Sequence, residues 1–567
     1  MSDLTKSPYN LNCNEIKSIQ NIVKNMSLEE KIGQLFFVIN SDNEDTNLKK
    51  FIQKYKPGGI MFRPEMSNII KNKINLLQKG SNIPLFVSAN LESGGNGIIQ
   101  EGTWVGNPLQ IAATNDTQSA YDLGNISGNE AGQIGCNMSF SPIVDIDMNF
   151  RNPITNTRTF GNNVSLVKNM GWAQCQGLQK NKIIPVIKHF PGDGVDERDQ
   201  HIVTSINSLD KDEWMETFGS VYHYFIKKGI PSIMIGHIMQ PAWERFLKPT
   251  IKDEELMPAS VSELLINGLL REKLGFNGLA ITDATPMIGY NVSLSRKLLL
   301  PKTINAGIDM ILFNKNIDED YSYIFDAVKL GIISTERLNE AVTRILGTKV
   351  SQNIMDLEKE FIQYIPNETN FKFKEHKRIA QKIADQSITL VKDRDQLLPI
   401  SPSKTPRIRL VVLGDKDTGG FKEGGKVTNK FIKGLKSYGF DVHLYNQNAL
   451  DFHEVFNEGV SDLKNKFDLA IYIANIETAS NQTTTRLDWV HLMAADAPWY
   501  LRDIPTIFIS MANPYHLFDI PSVSTYINAY TGNNESIKAV LKKITGQEKF
   551  VGQSPVDPFC GELMARL

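Results

Sequence analysis

The sequence predicts an α/β protein with a (β/α)8 barrel in its N-terminal part, followed by a smaller α/β sandwich of the doubly wound type. Three observations carry this expectation. Eight short apolar runs recur with room for a helix between them, which implies parallel pairing. Polar, chemistry-bearing residues stand at the C-terminal ends of six of those runs. A charged stretch after about residue 350 then separates the first series from a second set of strand-like runs. At 567 residues the chain is too long for one ordinary core. The expected division is a barrel over 1–350, a linker over 351–375 and a sandwich over 376–567.

Taken in order, Ser27 is an N-cap with Glu30 three residues on as its capping-box partner, so a helix begins there. The barrel strands are QLFFVIN (34–40), GGIMF (58–62), PLFVSAN (84–90) and NMSFSPIVDI (137–146). IIPVIKHF (183–190), SIMIGH (232–237), GLAITD (278–283) and MILFN (310–314) complete them. SAYDLGNISGNEAGQIG and VSLVKNMGWAQCQGLQKN are among the helical segments between. STERLNEAVTRILG (334–347) reads as an amphipathic helix starting near Ser334 or Thr335, and Ser351 to Phe371, with Pro366, as the linker. HKRIAQKIADQSITLVKD then reads as one helix leading to LLPIS. IRLVVLGD (408–415), DVHLYNQ (441–447), DLAIYIAN (468–475), TIFISMANP (506–514) and TYINAY (525–530) read as strands, with ESIKAVLKKITG as a closing helix. The loop DKDTGGFKEGG lacks a G-x-G-x-x-G opening a helix, so dinucleotide binding is not indicated.

Composition narrows the function classes. Hydrophobic content of 41% and charged content of 22% are those of a globular protein. A net charge of −2 leaves no electrostatic footprint for nucleic acid or an anionic membrane. The N-terminus has no basic region followed by an apolar run, and no apolar stretch approaches a membrane span. Cys13, Cys136, Cys175 and Cys560 have neither metal-site nor disulfide-framework spacing. The expectation is a cytoplasmic monomer or homodimer with reduced thiols, no metal, no cofactor, and a small molecule as its partner.

The most informative stretch is IIPVIKHFPGDGVDERDQH (183–201). A buried-type strand ends here on Lys188 and His189, passes a Pro-Gly-Asp-Gly turn, and enters an acidic loop closing on Asp199-Gln200-His201. A carboxylate two residues before a histidine takes the imidazole N–H, fixing its tautomer and tuning its basicity. An isolated D-x-H is more often a polar loop with a helix cap; a strand that itself ends in Lys-His shifts the balance toward chemistry. Other strand ends add Asn90 and Glu92, Asp145 and Asp147, His237, Asp283 and Asn314, on the face where barrel active sites are assembled.

KHFPGDG followed by D-x-H resembles the segment of family 3 glycoside hydrolases that act on N-acetyl-β-glucosaminides. The resemblance extends along nearly the whole chain, through SLEEKIGQLFF, PGGIMF, NPITNTRTFG, PASVSELLINGLLREKLGFNGLAITDA, DQSITLVKDRDQLLPI, INAYTGN and FVGQSP. It implies a retaining, exo-acting glycosidase for a carbohydrate substrate, with Asp283 as nucleophile, His201 as acid/base and Asp199 as its partner. It also implies Arg158 as a sugar-binding arginine, able to hold vicinal hydroxyls through paired donors. Lys188 and His189 stand where donors to sugar hydroxyls or an acetamido carbonyl belong. His237 is either a pocket residue or a packed, satisfied histidine. At SANLESGGNG relatives commonly carry Asp-Gln-Glu-Gly-Gly; this chain has Asn90 at the aspartate position and an extra Ser93, with Glu92 available to share sugar binding. An amide donates as well as accepts, whereas a carboxylate only accepts. Two rival readings stand beside the hydrolase: a phosphorylase with the same nucleophile, and a non-catalytic sugar-binding derivative of the fold. Intact Asp283, Asp199 and His201 argue against the second.

Overall fold

The computed structural model describes residues 2–39, 44–357, 368–415, 426–445 and 455–567. Asn40, Pro366, residues 358–367 of the expected linker, 416–425 of the glycine-rich loop and 446–447 of the DVHLYNQ run lie outside the described residues. By its contacts the chain forms two units. One comprises Met1–Thr103, Ala120–Asn149 and Val164–Phe373; the other comprises Trp104–Ser119, Phe150–Asn163 and Lys374–Leu567. No helix among the described residues is long and apolar enough to cross a membrane.

In the first unit every expected barrel run contains a strand. They are β1 (Phe36–Ile39), β2 (Gly59–Met61), β3 (Phe86–Ala89), β4 (Met138–Ser139) and β5 (Ile184–Phe190). A two-residue β6 (Ser205–Ile206) follows, then β7 (Ser232–Ile235), another short strand β8 (Ile238–Met239), β9 (Leu279–Thr282) and β10 (Ile311–Leu312). The main sheet has eight strands in the order β10-β1-β2-β3-β4-β5-β7-β9, all parallel, and a bridge between Ile281 and Met310 brings its two edges together. β4 is much shorter than its apolar run, because Pro142 has no N–H for the ladder. The run nevertheless stays beside its neighbours: Phe140 donates to the Ala89 carbonyl and Val144 to that of Lys188.

The helices follow local rules. Ser27 accepts from the Glu30 amide and Glu30 returns to the Ser27 amide, completing the expected capping box. Ser334 caps the helix Thr335–Ser351, whose face of Leu338, Ala341, Val342 and Ile345 packs into the barrel core.

Charge at the two ends of the barrel does different work. Just before β10, at its N-terminal end, buried Asp309 meets Arg271 at 3.0 Å, Arg337 at 3.1 Å and Arg344 at 3.3 Å. Oδ2, the oxygen that Arg271 contacts, also accepts from the Ala280 amide at 3.0 Å. Burial pushes this carboxyl up, but the three guanidinium groups outweigh it and hold it below the usual carboxylate range.

In the second unit β11 (Thr389–Asp393), β12 (Arg407–Leu413), β13 (Asp441–Leu444), β14 (Leu469–Ala474), β15 (Thr506–Ser510) and β16 (Thr525–Asn528) form one sheet, ordered β11-β16-β15-β14-β12-β13. All pairings are parallel except β11 with β16. Apolar side chains alternate across it: Ile471, Ile473, Ile507 and Ile509 enter one core, while Tyr472, Phe508 and Tyr526 enter the core on the opposite face. One expectation is corrected here. The segment expected as a single helix up to Asp393 ends as a helix at Ser387, and Thr389–Asp393 is the antiparallel edge strand. Ile388, Thr389 and Val391 are β-branched, and a sheet edge offers them more than another helical turn would.

Asp309→Asn should cost about 3–5 kcal/mol of stability at neutral pH, because three arginines lose their buried counter-charge. The loss should appear as a lower urea midpoint. Since the carboxyl is held low in the folded state, its contribution is present above the unfolded-state value and disappears on acidification. The wild-type and variant midpoints should therefore converge as pH falls through the range where Asp309 protonates.

Candidate active site

The C-terminal ends of β3, β4, β5, β7 and β9 carry the groups singled out in the sequence. β5 is buried along its whole length, so the polar ends of Lys188 and His189 need partners inside the protein. Each finds one on a neighbouring strand end. Lys188 Nζ lies 2.7 Å from Glu92 Oε1, beyond β3. His189 Nδ1 lies 2.7 Å from Asp145 Oδ2, beyond β4. The other oxygen of Asp145 accepts the amides of His189 at 3.0 Å and Asp193 at 2.8 Å, so this carboxylate organises the start of the following loop. Asn90, partly buried at the end of β3, is held through its main chain: a Cβ on Gly97 would come 1.9 Å from its carbonyl oxygen.

Asp283 follows β9 directly and donates its amide to the Ile235 carbonyl of β7 at 2.8 Å. Its side chain is 11% exposed. One oxygen, Oδ1, accepts the Ala284 amide at 2.7 Å, while buried Oδ2 has no hydrogen-bond partner. His189 Nε2 is 3.7 Å from Oδ2, within ion-pair range but too long for a hydrogen bond. Burial pushes the Asp283 carboxyl up; the neighbouring imidazoles, His189 foremost and then His237 and His201, and the Ala284 amide outweigh it and bring it down to about 2. An ionised carboxylate oxygen without a bound donor is the arrangement a carbon electrophile requires of its attacker.

His201 is the more open partner. Its side chain is 21% exposed and its Nδ1 lies 2.6 Å from Asp199 Oδ1, on a side chain with no exposure at all. The same oxygen accepts the His201 amide at 2.8 Å. Because a carboxylate only accepts, Nδ1 carries the hydrogen and Nε2 is left for chemistry. The loop bearing the pair is pinned on two sides. Its far end runs into β6, which pairs with β8, and Asn207 Nδ2 donates to the Gly192 carbonyl at 3.1 Å. Its near side leans on the segment after β9: Ile288 donates to the His201 carbonyl at 3.0 Å and Thr204 Oγ1 to that of Gly289 at 2.7 Å. A Cβ on Gly289 would come 2.3 Å from the Gln200 carbonyl oxygen, so only glycine permits this approach.

His237 is buried, with both ring nitrogens engaged. Nε2 is 3.1 Å from the Ala284 carbonyl and therefore donates, so Nδ1 accepts from the Ser260 hydroxyl at 2.8 Å. Burial lowers its pKa to about 4, consistent with a neutral ring. Of the two readings the sequence allowed, the structure has the packed one: the ring supports the Asp283–Ala284 turn from behind. Arg158 ends a short 3-10 turn, Asn156–Arg158, which belongs to the second unit. Two contributors escaped the sequence reading. Gln200, inside the D-x-H motif, spans Asp193 Oδ2 at 3.2 Å and the His237 amide at 2.9 Å. Asp145 stood out only as a strand-end carboxylate, and its tie to His189 required the register of β4 beside β5.

Comparison with known proteins agrees with this architecture. The profile of the Glycosyl hydrolase family 3 N terminal domain matches residues 27–348. A β-N-acetylglucosaminidase/β-glucosidase of Cellulomonas fimi is 39% identical over 567 residues, covering 99% of each chain. Among solved structures, the β-glucoside phosphorylase BglX aligns with a TM-score of 0.91 at 41% identity, covering 99% of each chain. A family 3 β-N-acetylglucosaminidase from Paenibacillus sp. str. FPU-7 shares the fold, with a TM-score of 0.78 at 22% identity over 94% of this chain and 99% of its own.

Gly289→Ala should push the 199–203 loop off the segment after β9. Amide exchange at Ile288 should accelerate by about tenfold, the equivalent of one lost hydrogen bond. Exchange at the barrel strands, read in the same experiment, should be unchanged.

Proposed function

Because the chain belongs to glycosyl hydrolase family 3, we propose that it is a retaining, exo-acting β-N-acetylglucosaminidase that works through a covalent glycosyl-enzyme. The observation that carries the reading is the pairing of two differently prepared groups in one barrel mouth. Asp283 has a buried, ionised oxygen with no donor on it, and His201 has a reachable Nε2 backed by a buried carboxylate. Retention needs these two roles, a nucleophile and an acid that later becomes a base.

In the first step Asp283 Oδ2 bonds to the anomeric carbon as the bond to the leaving oxygen breaks. His201, protonated on both nitrogens, gives its Nε2 proton to that oxygen and keeps its Nδ1–H on Asp199. In the second step the neutral ring takes a proton from water through Nε2. The water oxygen bonds to the anomeric carbon, and the Asp283 carboxylate leaves. Asp199 supports the imidazolium in both directions without itself becoming protonated. Lys188, His189, Glu92 and Asn90 line the same strand ends and serve as sugar contacts. The substrate's non-reducing sugar carries a 2-acetamido group, on the strength of the D-x-H loop; natural substrates of this class include cell-wall fragments and chitin-type oligosaccharides.

A second reading is supported by the similarity to the β-glucoside phosphorylase, which extends over 99% of both chains. In the glycosyl-enzyme stage His201 is neutral, and a neutral base repels an incoming phosphate less than a carboxylate would. Product identity separates the two: free sugar for a hydrolase, sugar 1-phosphate for a phosphorylase, each assayed with phosphate present.

The deciding assay compares aryl N-acetyl-β-glucosaminide with aryl β-glucoside, with and without phosphate. The acetamido substrate is expected to be turned over faster, and equal rates on the two would overturn the subgroup assignment. His201→Gly should reduce turnover of poor-leaving-group substrates by about 10²–10⁴-fold while sparing the first step with an activated aryl group. Azide should then restore deglycosylation, giving a glycosyl azide. Asp199→Asn should fall between wild type and His201→Gly.

A further inference from the structure

The arrangement around His189 goes beyond sugar binding. Its ring stands between two carboxylates, Asp145 at 2.7 Å from Nδ1 and Asp283 at 3.7 Å from Nε2. Asp145 is fully enclosed, accepts two backbone amides on one oxygen, and spends its other oxygen on the ring. Nδ1 therefore carries a hydrogen. A bare lone pair on Nε2 would face the free oxygen of Asp283 with like charge, whereas an N–H there is attracted to it. The geometry calls for a doubly protonated ring.

Other groups nearby contribute less. Lys188, the preceding residue, is matched by Glu92. Asp193 is engaged by Gln200, and His201 is matched by Asp199. His237 is a neutral ring donating to the Ala284 carbonyl. His189 makes the largest contribution to the field that offsets the burial of Asp283. It acts without a hydrogen bond on Oδ2, which a nucleophile would have to break in the transition state.

We propose that Asp145 is a positioning residue for the nucleophile: by clamping the Nδ1–H of His189 it keeps an imidazolium against Asp283, holding the attacking oxygen ionised yet unbonded. This rests on the reading of Asp283 as nucleophile. Asp145 touches neither substrate nor reacting atoms; it acts through His189.

Asp145→Asn is a conservative probe. The amide oxygen can still accept the His189 and Asp193 amides, while the amide nitrogen would donate to Nδ1 and leave the ring neutral. With the cation gone, the Asp283 carboxyl rises and its ionised fraction falls on the acid side. The measurement is the rate at which a 2-fluoro glycosyl reagent with an activated leaving group labels Asp283, followed against pH and localised by peptide mass. Wild type should show no acid limb down to about pH 4, and Asp145→Asn should show one raised by about two pH units or more. In a His189→Gln background the additional change Asp145→Asn should move the limb no further, as expected for residues acting in series. An acid limb that does not move in Asp145→Asn, or that moves again in the double variant, overturns the proposal. Label on a residue other than Asp283 instead overturns the nucleophile assignment and the proposal with it.

A second measurement needs only the folded wild-type protein. With ¹⁵N-labelled histidine, the resonances lost in His189→Gln identify His189 among the nine histidines. Two N–H nitrogens at neutral pH are expected; a neutral ring overturns the proposal even if Asp145→Asn fails to fold.

Discussion

A cation at the end of a buried strand has to be met by an anion on an adjoining strand, and β5 ends on two such residues in succession. Lys188 and His189 are met separately, by Glu92 and by Asp145. That double compensation fixes the mouth of the barrel. It sets the lysine and orients the imidazole, and the carboxylate that orients the imidazole also accepts the amide that starts the next loop. The His201 loop and the Asp283 turn are then joined through Gln200, His237 and the Ala284 carbonyl, so the two reactive groups share one continuous framework.

The same chemistry serves opposite ends at the other face. Asp309 gathers three arginines under the barrel, where the carboxylate is saturated and has no free oxygen to offer. Asp283 is also buried but keeps one oxygen unbonded. A structural carboxylate and a reactive one are thus distinguished by their unsatisfied valence more than by burial or charge.

Much of this was legible in the sequence because barrel strands are local in period and their ends are marked by polar residues. All eight barrel runs contain strands, and the aspartate-histidine spacing at 199–201 is sufficient for the observed 2.6 Å contact. What was not legible depended on contacts across the sheet. Asp145 and His189 are 44 residues apart, and only the strand register brings them together. His237 shows the reverse problem: a strand-end histidine looks identical in sequence whether its nitrogens face a pocket or are taken by Ser260 and Ala284. β11 was absorbed into a helix because its five residues form a strand only through pairing with Thr525–Asn528, far along the chain.

The second unit draws on chain that precedes it. Leu109 and Ala113 pack with Tyr515, Tyr530 and Val556, and Gln110 donates to Ser536 at 2.7 Å. During synthesis, therefore, the segments 104–119 and 150–163 leave the ribosome long before their packing partners near the C-terminus exist. Until roughly the last fifty residues emerge, Leu109 and Ala113 lack most of the native surface that covers them, a window in which a chaperone or an aggregation contact would find them first.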